Sequence, residues 1–299
     1  MGESEPLFVV VAHPDDWQIF AGAAIYEHLR DPRKRVTVVT LTAGDAGDDA
    51  YHWKARHAGA VFSLLRGLPA WTPYGLGGFD AAVLPSSFTV RHERATANQK
   101  NLLATTIEGS NAAGATLYSL HLPDGGIDGE GFAPGHTSLS KLRAGVSPLT
   151  SLWPQDEPSR YETWGELIET LRALIACDCA GHAGAVTIYA PDPDPRVNPG
   201  DHADHVATAH LVRALADLLP ALTPTWVTMY AIEHEPENLS EAAVHLQRAA
   251  MHAYGGGYMA AAAGVRPTWR NGWEREYRCF GKRQYLRREQ RMELRAREC

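Results

Sequence analysis

Leu7-Phe8-Val9-Val10-Val11-Ala12, followed at once by His13-Pro14-Asp15-Asp16, is the stretch on which the fold turns. The six apolar residues make an unbroken run of strand length. Such a run suits a strand buried on both faces, as in a parallel sheet. Residues 18–29 then place Ile19, Phe20, Ala23, Tyr26 and Leu29 near helical spacing, and Asp31-Pro32 ends the helix. A second apolar strand spans 35–41 and is closed by Thr42-Ala43-Gly44; 51–65 read as a second helix. This β-α-β-α opening predicts an α/β fold. The sheet is Rossmann-like and mostly parallel, with helices on both faces and the active site at the carboxyl edge of the strands.

Farther along, 87–91 and 115–122 read as strands, 164–176 as an amphipathic helix and 185–190 as another buried strand. Pro191, Pro193 and Pro195 fall at alternate positions, so 191–201 is expected to be loop. A helix over 205–219 and a last core strand over 226–232 follow. Residues 241–254 read as a helix broken by Gly255 to Gly257. Residues 139–157 look irregular, and the Arg-rich 281–299 reads as a solvated terminal helix because its charges alternate in sign.

The chain has 299 residues, a hydrophobic fraction of 44 % and a formal net charge of -7. That length buries a sizeable core without staples. The acidic balance argues against a nucleic-acid partner. No apolar run reaches the ~18 residues that span a bilayer, so no membrane partner is expected. Met1 to Pro6 does not resemble a secretory signal, and four cysteines in so long a chain are not a disulfide framework; the expected location is cytoplasmic. Cys177-x-Cys179 is read as helix-end packing rather than a metal knuckle.

Two clusters carry chemistry. His13, Asp15 and Asp16 lie where a buried strand ends and a helix begins, the edge at which open α/β sheets bind ligands. Three titratable groups in four residues there are costly unless a cation or solvent compensates them. His13 and Asp16 offer the nitrogen and oxygen ligands that zinc accepts, and the neighbouring carboxylate stays free as a base. The plainer account is a helix cap. The second cluster, Asp201-His202-Ala203-Asp204-His205, also follows a buried strand and opens a helix. All strand-to-helix loops of such a sheet share one edge, so this cluster can face the first and supply a third ligand and a spare histidine. A helix start favoured by the dipole explains its aspartates but not its two histidines.

Rival patterns fail. An H-x-H-x-D-H site would need a histidine at Gly200. No G-x-G-x-x-G or G-x-x-x-x-G-K-[ST] follows a strand, and Gly75, Gly77 and Gly78 have no helix behind them. No G-x-S-x-G elbow is present.

Ala12-His13-Pro14-Asp15-Asp16 early and His202-Ala203-Asp204-His205 late resemble the PIG-L/LmbE superfamily of zinc-dependent de-N-acetylases, over roughly residues 5–220. The Thr42-Ala43-Gly44 loop, the helix with Arg56 and Leu122-Pro123-Asp124-Gly125 resemble further family segments. The resemblance implies a deacetylase domain over 5–235, with 236–299 a C-terminal extension packed on it. It implies His13, Asp16 and His205 as ligands of one Zn2+, with Fe2+ an alternative in the same cage. It further implies Asp15 as general base, His202 as the group that stabilises the tetrahedral adduct or protonates the amine, and Asp204 as the carboxylate orienting His202. Arg56 and Asp124 are implied as substrate contacts. The expected activity is hydrolysis of an N-acyl, foremost N-acetyl, amide on a small-molecule amino sugar or glycoconjugate. An amidase for a non-sugar substrate and a non-catalytic metal-binding homologue are the alternatives. Two positions depart from the pattern: Trp17 stands where the family has Glu, and Gly59 stands where a Glu follows the arginine. Trp17 is a candidate apolar wall for substrate, with plain core packing as the competing account. Trp153, Tyr161 and Trp164 are candidates to stack on a sugar, again with packing as the competing account, and 120–160 and 191–201 would line the mouth.

Overall fold

The computed structural model describes residues 5–31, 33–48, 50–68, 88–109, 114–133, 135–146, 152, 154–156, 159–262 and 272–289. Its centre is an eight-stranded sheet: β1 (Glu5–Val11), β2 (Lys34–Thr42), β3 (Phe88–Ala97), β4 (Lys100–Gly109), β5 (Gly114–Leu122), β6 (Val186–Pro191), β7 (Leu222–Val227) and β8 (Leu286–Arg288). The spatial order is β3-β4-β5-β2-β1-β6-β7-β8. The five strands from β5 to β7 run parallel; the β3–β4 hairpin and β8 add antiparallel edges. The chain steps outward from β1 to β2 and β5, then resumes at β6 on the other side of β1. That reversal is the switch point at which ligands bind in doubly wound sheets.

Alternate residues of β1 serve two cores. Leu7, Val9 and Val11 face one layer, and Phe8 and Val10 face the other. The first layer holds α1 (Asp16–Phe20), α2 (Gly22–Arg30), α3 (Ala50–Gly67), α7 (Glu241–Ala261) and α8 (Gly272–Phe280). The second holds α4 (Leu139–Ala144), α5 (Trp164–Asp178) and α6 (Ala203–Leu218). Burial on both faces is why the strands read as unbroken apolar runs.

Several expectations are corrected. The helix read over 18–29 is two helices that break at Ala21. The break is buried, so its backbone groups need partners. Gln247 of α7 supplies them, accepting from Ala23 N at 2.8 Å and donating to Gln18 O at 2.9 Å. Gly255 to Gly257 do not break α7, which runs through them. A Cβ on Gly257 would fall 2.6 Å from Phe62 Cβ, and one on Gly59 would fall 2.9 Å from Tyr254 O. The small residues therefore let α3 and α7 pack closely. Strand β4 went unread because its alternation is masked by polar residues; the hairpin turn is Asn98-Gln99, both at positive φ. The last parallel strand ends at Val227, and Tyr230–His234 is a 3-10 turn. Residues 286–288 pair with β7 instead of forming a helix, and 290–299 lie outside the described residues, as do Trp153 and Gly75 to Gly78. Residues 139–144 are helical, where irregular chain was expected.

Candidate metal centre

The carboxyl ends of β1 and β6 are neighbours, so the turns that follow them meet. His13 Nδ1 lies 3.2 Å from His205 Nε2 and 3.4 Å from Asp16 Oδ1, and the last two atoms are 3.1 Å apart. All three side chains are buried. Ligands at ~2.0–2.1 Å from a tetrahedral ion stand about 3.3–3.4 Å from one another. The triangle has that size, and two nitrogens with one carboxylate oxygen are a donor set zinc accepts. The residues fit a divalent ion.

The far side of each imidazole meets a carboxylate. His205 Nδ1 is 2.8 Å from Asp201 Oδ1; His13 Nε2 is 3.5 Å from Asp204 Oδ2 and 3.8 Å from Asp124 Oδ2. Carboxylates behind ligating histidines fix the tautomer and raise ligand basicity. Burial opposes charge on every member, but mutual attraction wins. His13 is held well above the imidazole range by Asp16, Asp204 and Asp124, and His205 is pushed up to about 10 by Asp16 and Asp201. Asp16 is held well below the carboxylate range by His205 and His13. The cluster thus concentrates negative charge that a cation answers.

Asp15 precedes α1 without capping it through its side chain, which removes the plainer cap account. Its carboxylate instead pairs with the Arg56 guanidinium, and both are buried. Arg56 also donates to Gly44 O at 3.0 Å. Gly44 has φ +59, and a Cβ there would sit 2.8 Å from Arg56 Cζ, so the loop after β2 needs glycine. Arg56 therefore holds Asp15 and the β2 loop.

His202 caps α6, its Nδ1 accepting from Asp204 N at 3.1 Å. In the neutral ring the proton then sits on Nε2, which is 3.8 Å from Asp124 Oδ1. Burial and the charges of His13 and His205 push His202 down to about 3. Asp204 differs from expectation: it lies 4.0 Å from His202 but 3.5 Å from His13, and it accepts from Gly125 N at 2.8 Å. Its carboxylate, fully buried in the first turn of α6, thus stands nearer the candidate ligand His13 than His202. Asp124 sits in the same cluster, steadied by Gly126 N at 2.8 Å, while its own N–H donates to Asp45 at 2.9 Å.

Trp17 is 1 % exposed and packs toward Tyr26 in the core, so it does not form the expected open wall. Tyr161 is likewise a buried core residue and is not free to stack on a sugar, while Trp164 is half-buried and packs one side against the core. Tyr230, by contrast, is 39 % exposed and its ring lies 5.2 Å from the His205 ring, with Phe20 and Phe280 packed behind it in the core. Neither Tyr230 nor the bracing role of Asp201 was read from the sequence. Asp201, four residues before His205 at a helix start, carried a usable signal; Tyr230 carried none. Among the described residues the candidate metal groups are His13-Asp16-His205 and His13-Asp124-His202-Asp204, and neither contains a cysteine. No described helix is long and apolar enough to cross a membrane.

The family model described as GlcNAc-PI de-N-acetylase, PIG-L, matches residues 8–71, which hold His13, Asp15, Asp16 and Arg56. The resemblance read from the early motif therefore stands over that stretch. No curated protein matches the chain. Similar solved structures include N,N'-diacetylchitobiose deacetylase from Pyrococcus horikoshii (TM-score 0.46, 14 % identity, covering 96 % of this chain and 84 % of that one). They also include a teicoplanin deacetylase in its zinc-inhibited form (0.45, 13 %, 87 % and 87 %). A third is 4-carboxy-2-hydroxymuconate hydratase from Pseudomonas putida (0.42, 13 %, 88 % and 90 %).

Proposed function

We propose that this protein is a metal-dependent N-deacetylase that cleaves the N-acyl amide of an amino sugar or glycoconjugate, releasing a free amine and a carboxylate. The observation that carries the reading is the buried triangle of His13 Nδ1, Asp16 Oδ1 and His205 Nε2. The PIG-L match over the stretch with two of those ligands supports the substrate class. Zinc is the proposed ion, with ferrous iron able to take the same ligands. When bound, the ion supplies Lewis-acid polarisation of the carbonyl and a water of lowered pKa.

The chain's own residues do the rest. Asp15, next to a ligand and outside the triangle, takes the proton of the attacking water, and Arg56 keeps its carboxylate in place. The oxygen of water adds to the carbonyl carbon, and the C–N bond then breaks. His202 Nε2, the protonated nitrogen of the neutral ring, donates to the developing oxyanion, as oriented donors do in such sites. The departing nitrogen receives its proton from Asp15 in its newly protonated form, because His202, pushed down to about 3, is neutral and has no acidic proton to give. Asp124 lies 3.8 Å from His202 Nε2, and its charge favours the tautomer that keeps the proton on that nitrogen. Tyr230 and Phe20 cover the His205 side and limit water there.

Metal quantification joined to an amine-release assay on N-acetylated sugars tests this. The wild-type protein should carry about one divalent ion and release amine. Asp15→Ala should keep the ion and lose about 10²–10⁴-fold in kcat, the usual worth of a positioned general base. A zinc-loaded Asp15→Ala protein that keeps most of its activity overturns the mechanism. Release of an acid other than acetate would redirect the substrate assignment.

A further inference from the structure

Glu276 belongs to neither chemical motif, yet it comes to the same place. Helix α8 packs against α1, α7 and the Tyr230–His234 turn. Its Phe280 lies 5.4 Å from Phe20 and 6.1 Å from Tyr230, ring to ring, and both of those rings contact His205. Residues four apart share a helix face, so Glu276 lies on the face of α8 that leads to the metal centre. On this half-buried side chain Oε2 is the buried oxygen, and it has no hydrogen-bond partner among the described residues. Burial and the nearby charge of Asp15 push its carboxyl up to about 7 against the pull of Arg275 and Arg56.

A buried carboxylate oxygen without a donor is costly, and such exceptions ask for an explanation. Here an acceptor stands on the face of α8 that packs toward the metal centre, with no donor for it among the described residues.

We infer that Glu276 is a substrate-binding residue that accepts a hydrogen bond from one ring hydroxyl of a polyhydroxylated amide substrate. The inference rests on the proposed amide-hydrolase reading and deepens it by naming what the substrate must carry. An amide without hydroxyls would leave the carboxylate unpaired. Sites built around a substrate hydroxyl reject analogues that lack it far better than apolar pockets discriminate methylenes.

The test uses metal-loaded full-length protein, N-acetylglucosamine and its 3-deoxy, 4-deoxy and 6-deoxy analogues. Binding is read by calorimetry and turnover by amine release. One analogue should bind the wild-type protein about tenfold to a hundredfold more weakly than the parent sugar, the range for a hydrogen bond to a charged group. Glu276→Gln should weaken the parent sugar by a similar factor and weaken that analogue no further. Gln keeps the size of Glu and removes a buried charge, so the Tm should not fall. The deoxy series on wild-type protein needs no variant. Equal binding of all four sugars, losses that add in Glu276→Gln, or no binding of N-acetylglucosamine overturns the inference. Binding of the expected pattern without amine release upholds it and sinks the proposed function instead.

Discussion

His13 Nδ1 and His205 Nε2 face each other at 3.2 Å, although 192 residues separate them in the chain. Two ring nitrogens so close repel each other through their lone pairs unless a cation or a proton stands between them. With Asp16 on the third side, a divalent ion is the fuller answer. His205→Ala should therefore carry less than about a tenth of the wild-type metal when measured by elemental analysis. Wild-type protein should lose thermal stability on dialysis against a chelator, because an ion that binds only the native state stabilises it by mass action. An unchanged metal content in His205→Ala would remove that residue from the cage.

The Asp15–Arg56 pair is buried on both sides. Removing one partner leaves an unpaired buried charge, which costs about 3–5 kcal/mol. Arg56→Met keeps most of the volume and should lower the unfolding free energy by that amount in a denaturant titration. A loss below about 1 kcal/mol would mean that water reaches Asp15 and solvates it.

The crossing of α3 and α7 gives a prediction whose sign opposes helix propensity. Alanine is better than glycine inside a helix by about 1 kcal/mol. A Cβ at position 257, however, would meet Phe62 Cβ at 2.6 Å and Ala58 O at 3.0 Å, neither of them the end of a flexible side chain. Overpacking of this kind costs about 1–3 kcal/mol. Gly257→Ala should therefore be less stable than wild type in thermal unfolding, and a gain in Tm would show that the two helices can part.

Behind the site, His57 Nδ1 lies 3.2 Å from Ser119 Oγ and 3.3 Å from His121 Nε2, and His121 Nδ1 lies 3.1 Å from Asp156 Oδ2. Burial, then the charges of His121 and His92, push His57 down to about 3 from an ordinary 6.5. A histidine held neutral in the folded state is protonated first in the unfolded chain. Its contribution favours folding above pH 6.5 and is lost progressively as pH falls from about 6.5 toward about 3, at up to ~1.4 kcal/mol per unit. Metal-loaded wild-type protein should lose stability over that window, and His57→Gln should show a shallower slope. Parallel slopes would show that His57 titrates normally.

Much of the architecture was legible in one dimension because it depends on local pattern. Unbroken apolar runs at 7–12, 35–41, 115–122 and 185–190 demand burial on both faces, and helical periodicity between them demands a doubly wound sheet. That topology puts every strand-to-helix turn on one edge, so His13, Asp16, His202 and His205 could be brought together before any coordinate was known. The resemblance to a family then named which histidine is the ligand.

The rest depended on what those residues touch. Tertiary packing turned Trp17 into the core, tied Arg56 to Asp15, and directed Asp204 to His13 more closely than to His202. It carried α7 through three glycines because a neighbouring helix needed the room, a demand that no window of local sequence contains. It also brought Tyr230 and Phe280 to the face of His205 and set Glu276 on the same face of α8. The sequence by itself determined the parallel strands, their shared edge and the titratable side chains that meet there, since these follow from periodicity and from chain direction. Only the tertiary structure decided which charges pair and which buried acceptor stays unpaired among the described residues, since those depend on distances between segments that periodicity does not encode.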